Sequence, residues 1–180
     1  MFLYSEKMSS FKLKVLLTGA ATVGKTNLIQ KFIKNRFQAS YKLTVGVDIL
    51  TKDVEFRQGE TATLSIWDIG EQQRFKFIRS TFYKGSAGAL LVFDLTREQT
   101  YIEIRKWFTE IKKFVGSIPF VLIGNKIHLL KLIDKAIIRK EAREFARNEG
   151  GIYIETSPTS INVIEEAICE FTCRIIESRT

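Results

Sequence analysis

Residues 15–33 read V-L-L-T-G-A-A-T-V-G-K-T-N-L-I-Q-K-F-I, an apolar run, a glycine-bounded turn and a helix-period segment in direct succession. A strand that feeds a helix through Gly19, Ala21, Thr22, Val23 and Gly24 has the chemistry of a phosphate-binding loop. Successive backbone N–H groups turn inward, and the helix N-terminus adds its positive dipole end. Lys25 is placed to reach β- and γ-phosphates, the Thr26 hydroxyl to ligate Mg²⁺, and Asn27 stands beside them in the first helical turn. The competing reading, an ordinary glycine-containing turn, does not require the flanking strand and helix that are both present. The segment therefore predicts a nucleotide ligand and a layered α/β fold.

The chain around it has 180 residues, within the ~100–200 expected of one domain. Hydrophobic residues make up 45% and charged residues 27%, which excludes a disordered chain. No tract approaches the ~18 apolar residues of a membrane span. The opening Met1-Phe2-Leu3-Tyr4 is far shorter than the ~7–15-residue apolar region of a secretory signal, and Glu6 and Lys7 follow at once. A cytoplasmic protein is expected. Cys169 and Cys173 are spaced to share a helix face, which suits packing better than redox or metal chemistry. The net charge of +8 is scattered rather than gathered in a run. Without an aromatic and basic platform, it implies a solvated surface and no nucleic-acid partner.

Apolar strand-like runs alternate with helix-period segments along the whole chain. Strands are predicted near 12–18, 45–56, 61–68, 87–94, 119–124 and 152–155, and helices near 25–34, 73–83, 99–115, 137–148 and 161–177. Only Arg57-Gln58-Gly59-Glu60 separates the second and third strands, which is enough for a hairpin and too short for a crossover helix. The expectation is a six-stranded, mostly parallel sheet with one antiparallel edge strand and about five helices. Its ligand would lie at the carboxyl ends of the strands, where the phosphate loop falls. Residues 1–10 are expected to form a flexible arm and 11–180 a single domain.

Further motifs follow the loop in order. Tyr41-Lys42-Leu43-Thr44-Val45-Gly46-Val47-Asp48 resembles the first switch of the Ras superfamily of small GTPases, and the stretch from Trp67-Asp68 to Phe75 resembles the second. Phe82-Tyr83-Lys84-Gly85-Ser86 and residues 91–96 resemble the Rab branch in particular. Asn125-Lys126 stands at the base-reading motif and Glu155-Thr156-Ser157 at the last one. The resemblance spans about residues 11–177 and implies a P-loop small-GTPase domain that binds GTP, GDP and Mg²⁺. It further implies that Thr44 and Asp68 join Thr26 around the metal, that Gln72 orients the attacking water, and that Phe37 packs near the base. Lys25 would stabilise the transferred phosphoryl group, and a side-chain amide suits Gln72's task because it donates and accepts.

The chain departs from that pattern at defined points. Glu71 replaces a glycine whose N–H meets the γ-phosphate in the family. It restricts φ and brings a carboxylate towards an anion, a repulsion of roughly 3 kcal/mol at about 5 Å and an effective dielectric near 20. His128 stands where the family's aspartate accepts two hydrogen bonds from guanine. An imidazole offers at most one acceptor nitrogen, and losing a charged acceptor forfeits about 1.5–3 kcal/mol. Ser157-Pro158-Thr159 replaces the last motif, and proline lacks the N–H that reads the guanine carbonyl. Local drift compensated by Asn125, Lys126 or a shifted loop is the competing reading. Thr22 is bulkier than the small residues common in the loop. No terminal prenylation cysteine is evident, so membrane association is expected to be peripheral at most.

The reading is a guanine-nucleotide-binding switch with slow Mg²⁺-dependent GTP hydrolysis. Its partners would be effectors, exchange factors and GTPase-activating proteins acting through the switches. The alternatives are a nucleotide-stabilised interaction module with impaired hydrolysis, supported by Glu71, and an NTPase with relaxed base choice, supported by His128 and Pro158.

Overall fold

The computed structural model describes residues 11–33, 40–43, 47–70, 76–131 and 136–180. Along them run β1 (Phe11–Thr18), α1 (Lys25–Ile33), β2 (Ser40–Leu43), β3 (Val47–Arg57), β4 (Glu60–Ile69), α2 (Arg79–Tyr83), β5 (Gly88–Asp94), α3 (Glu98–Val115), β6 (Phe120–Asn125), α4 (Ala136–Asn148), β7 (Ile152–Glu155) and α5 (Ile161–Glu177). The strands form one sheet in the order β2-β3-β4-β1-β5-β6-β7. β1 lies between β4 and β5 and is parallel to both, and β5, β6 and β7 continue in parallel. β3 runs antiparallel to β4, from Val47 opposite Ile69 to Arg57 opposite Glu60. The hairpin is tighter than its sequence suggests, since Arg57 and Glu60 already pair and only Gln58 and Gly59 turn.

The six expected strands are present, and β2 adds a short seventh, antiparallel to β3 with Leu43 opposite Val47. The helix expected over 73–83 is shorter: residues 71–75 lie outside the described residues, and 76–78 form a turn before α2. The reason is burial. Phe77 is 91% exposed, so no apolar contact holds that turn in a helix, and packing rather than propensity supplies most helical stability.

β1 divides the interior by alternation. Leu13, Val15 and Leu17 enter one core with Ile29 and Phe32 of α1 and Ile168 and Phe171 of α5. Leu16 points the other way, towards Tyr101, Ile104 and Trp107 of α3 and Ala142 of α4. Strands with helices on both faces read as continuous apolar runs rather than alternating ones. β5 and β6 do so, being buried at every position. This two-sided packing leaves the carboxyl ends of β1, β5 and β6 as fixed supports for the loops that follow them.

Candidate functional site

The turn between β1 and α1 is held by two glycines. Gly19 has φ +151° and Gly24 φ +86°, both in the region that favours glycine. Neither has room for a side chain: a Cβ on Gly19 would lie 2.4 Å from the Val92 carbonyl oxygen, and one on Gly24 would lie 2.8 Å from Asn125 Nδ2. The loop backbone therefore packs against the Val92 backbone of β5 and the Asn125 side chain at the end of β6. Val23 N–H donates to the Ala20 carbonyl at 3.3 Å, and Leu28 N–H to that of Gly24 at 3.0 Å, which opens the helix.

At the phosphate end, the Lys25 ammonium lies 2.9 Å from Asp68 Oδ1, with both side chains buried. The Thr26 hydroxyl donates to Asp68 Oδ2 at 3.4 Å. Asp68 Oδ1 keeps its ion pair but has no directed hydrogen bond. A hydroxyl beside a buried carboxylate is the hard-donor chemistry of Mg²⁺, which is usually held by one or two carboxylates together with phosphates and water. Among the described residues no group of three or more His, Cys, Asp and Glu side chains could hold a metal alone. A cation at Thr26 and Asp68 would thus take its remaining ligands from nucleotide and solvent.

A second carboxylate, Asp94 at the end of β5, organises the other side of the loop. It is 1% exposed. Lys126 Nζ approaches Oδ2 at 2.8 Å and Arg97 Nε at 3.1 Å. Thr96 donates to Oδ1 from its N–H at 2.8 Å and its hydroxyl at 2.6 Å. Burial pushes the Asp94 carboxyl up, but these hydrogen bonds outweigh it and hold the group below its ordinary value. Both cations also reach the loop: Lys126 Nζ donates to the Thr22 carbonyl at 2.9 Å, and Arg97 to the Thr22 hydroxyl. Lys126 is the one non-glycine residue with positive φ among the described residues, at +67°. That backbone strain, of order 1–3 kcal/mol, is offset by the two contacts its side chain makes.

Beyond Lys126 lies a cavity of about 220 Å³, lined by residues of α1, the end of β6, the 3-10 turn Ile127–Leu129, and the β7–α5 loop with the start of α5. It is smaller than the ~300–1,000 Å³ of a whole drug-sized ligand site, so it suits one ring of a larger molecule. Asn27, Asn125, His128, Ser157 and Pro158 all line it, with Leu28 and Ile164 beneath. Lys31 Nζ donates to the Pro158 carbonyl at 3.2 Å, joining α1 to the opposite wall. Asn125 holds the loop, donating from Nδ2 to the Val23 carbonyl at 2.9 Å while Oδ1 accepts from Thr156 at 3.0 Å.

The loop residues from Gly19 to Asn27, Asp68, Asn125, Lys126, His128 and the 157–159 segment thus converge from four separate stretches of chain. Phe37, Thr44, Glu71 and Gln72 lie outside the described residues. Sequence reasoning gave no site role to Asp94, Arg97, Thr156 and Lys31, although Asp94 and Thr156 fall within stretches that carry the resemblance. The signal for Asp94 was legible, since a lone carboxylate ends the otherwise apolar run G-A-L-L-V-F-D.

A glycine loop and helix start at the carboxyl edge of a mostly parallel sheet, next to a ring-sized cavity, define an α/β protein of the P-loop class. A family model described as Ras family matches residues 14–177. Ras-related protein RGP2 of Oryza sativa subsp. japonica is 35% identical over 159 residues, covering 88% of this chain and 72% of that relative. The chain belongs to the Ras family of small GTPases. Members of that family bind GTP, GDP and Mg²⁺ and act as switches. Among the described residues, no helix is long and apolar enough to cross a membrane.

Proposed function

We propose that this chain is a Rab-like guanine-nucleotide switch with slow intrinsic hydrolysis, formed by one domain over residues 11–180. The observation that carries the reading is the buried Lys25–Asp68 pair at the mouth of the loop. Its ammonium needs an anion, and phosphate oxygens offer a better-charged one than a single carboxylate that is itself suited to a metal. On nucleotide binding, Lys25 exchanges Asp68 for the β- and γ-phosphates, and Asp68 becomes free to act with Thr26 and Thr44 as the magnesium-holding set. Mg²⁺, when bound, neutralises charge on the phosphate oxygens.

The loop N–H groups and Lys25 stabilise charge that develops as water attacks in line, and Gln72 orients that water. Gly19, Ala21, Thr22, Val23, Gly24 and Asn27 wrap the phosphates. Asn125, Lys126, His128 and residues 157–159 surround the base, with Phe37 beside it. Effectors, exchange factors and activating proteins would read the two switches, in the cytoplasm or at a membrane surface. Glu71 favours a second reading, a nucleotide-stabilised module with impaired hydrolysis, because the resemblance puts it in place of the glycine whose N–H meets the γ-phosphate in the family.

Titration of nucleotide-free protein with a fluorescent GDP analogue in Mg²⁺ tests the main reading. Saturable binding that GTP competes is expected; absence of binding by either nucleotide refutes it. Phosphate release by wild type and Glu71→Gly separates the two readings. Faster release from the variant is expected if Glu71 restrains hydrolysis, whereas equal, readily measured rates exclude the impaired module.

A further inference from the structure

The ring-sized cavity has a chemical bias that the phosphate end lacks. A guanine edge presents acceptors at O6 and N7 and donors at N1–H and N2–H₂, whereas adenine presents an N6–H₂ donor and ring-nitrogen acceptors. To prefer guanine, a pocket must supply an acceptor for its N1–H and N2–H₂ side or a donor for O6. Among the described residues that line this cavity there is no carboxylate.

Apart from the Asn27 amide, which both donates and accepts, the acceptors around the cavity are already engaged. The Pro158 carbonyl takes Lys31 Nζ at 3.2 Å. The Thr156 and Ser157 carbonyls take the N–H groups of Ile127 at 3.0 Å and Ser160 at 3.1 Å. Asn125 Oδ1 takes the Thr156 hydroxyl at 3.0 Å. The Ser157 hydroxyl is bound to those of Thr159 at 3.0 Å and Ser160 at 2.8 Å. Pro158 has no N–H with which to read O6. His128, exposed on the 3-10 turn at the cavity rim, offers one acceptor nitrogen when neutral and none when protonated. What remains is Asn27 beside an apolar floor of Leu28 and Ile164, with Ile161 and Lys126 at the walls. Such a surface holds a flat heterocycle mainly by contact area, and an amide that both donates and accepts does not by itself favour a guanine edge over an adenine edge.

We propose that this cavity accepts purine nucleotides with little discrimination between guanine and adenine, and that His128 is the residue that withholds guanine selectivity. The inference rests on the nucleotide-switch reading above and adds the ligand class of its base subsite. Affinity then comes from the phosphate end, which is the same for every nucleoside triphosphate.

The test is competition of a fluorescent GDP analogue from nucleotide-free protein, in Mg²⁺, by GTP, ATP and ITP, for wild type, His128→Asp and His128→Ala. In wild type, the GTP and ATP dissociation constants are expected to agree within about tenfold, and ITP, which lacks the 2-amino group, to match GTP. His128→Asp supplies the missing carboxylate, and one charged hydrogen bond of ~1.5–3 kcal/mol raises the GTP-over-ATP ratio by at least about tenfold. His128→Ala leaves the ratio as in wild type. A wild-type ratio well above tenfold in favour of GTP overturns the inference and leaves the switch reading standing. An unchanged ratio in a folded His128→Asp protein overturns the assignment to His128. Failure of any nucleotide to compete, or of the probe to bind, defeats the switch reading and this inference with it.

Discussion

The two ends of the proposed nucleotide site are built by different physics. At the phosphate end, buried charges and backbone geometry dominate: Lys25 faces Asp68 at 2.9 Å, and Lys126 and Arg97 converge on Asp94. At the base end the walls are largely apolar, and the single histidine of the chain stands on the rim. The first end tolerates little change, because a charge left unpaired in a buried site costs several kcal/mol. The second can lose a hydrogen bond and keep its shape. A chain of this family can therefore retain its grip on phosphate while its choice of base drifts.

The largest expected effect tests the phosphate end. Lys25→Ala removes a buried ammonium that would make about two charge-assisted phosphate contacts of ~1.5–3 kcal/mol each, so affinity for GDP and GTP should fall by ~10²–10⁴. Titration with a fluorescent analogue measures it. A loss below fivefold would mean that the loop amides bind without the lysine, and the contrast between the ends would collapse.

Next in size is Asp94→Asn. The variant keeps the volume but removes the charge that Lys126 and Arg97 share. Those cations are 27% and 44% exposed and can turn to solvent, so the loss should be about 2–3 kcal/mol rather than the full penalty of a stranded ion. A shift of the urea midpoint at unchanged slope would show it. An unaltered midpoint would mean that Asp94 organises the loop without stabilising the fold.

The same carboxylate gives a pH dependence with a definite sign. Asp94 is held below its ordinary value. So is Glu155, where burial is opposed by hydrogen bonds from Arg139, at 2.6 and 2.8 Å, and from Tyr153. A depressed native pKa contributes stability that is complete above the unfolded-state value, about 3.9 for Asp and 4.3 for Glu, and is lost as pH falls through the native value. Stability should thus hold through neutral pH and decline below about pH 4. Asp94→Asn should decline less steeply there, which urea titrations at several acidic pH values would reveal. Parallel curves for the two proteins would contradict the assignment.

How much of this was legible in the sequence follows the same division. The phosphate loop is contiguous, so eight neighbouring residues carried its chemistry, and the apolar runs announced β5 and β6 because both faces are covered. β2 was not visible: Ser40-Tyr41-Lys42-Leu43 has no apolar run, and its strand conformation comes from pairing with β3. The start of α2 is placed too early by the sequence pattern because periodicity registers Phe77 and Ile78 without revealing that they remain exposed. The Asp94 network joins residues separated by up to 104 positions along the chain, and no local pattern reports which cations a buried carboxylate collects. Pro158 and His128 were readable as departures, whereas the engagement of the Thr156, Ser157 and Pro158 carbonyls needed coordinates.

The smallest predicted effect lies where the two ends meet. Arg97 ties the Asp94 carboxylate to the Thr22 hydroxyl, bracing the loop near its middle. Being nearly half exposed, it is screened by solvent, and exposed pairs typically contribute about 0.2–1 kcal/mol. Arg97→Gln should therefore leave the urea midpoint almost unchanged and speed nucleotide dissociation by no more than about fivefold. The effect should be equal for GDP and ADP, because the tether acts on the phosphate loop and touches no base-cavity wall. Stopped-flow release of fluorescent GDP and ADP analogues distinguishes the outcomes. Acceleration of one nucleotide and not the other would show that the loop and the base cavity are coupled through Lys126, and the two ends would then have to be treated as one cooperative unit.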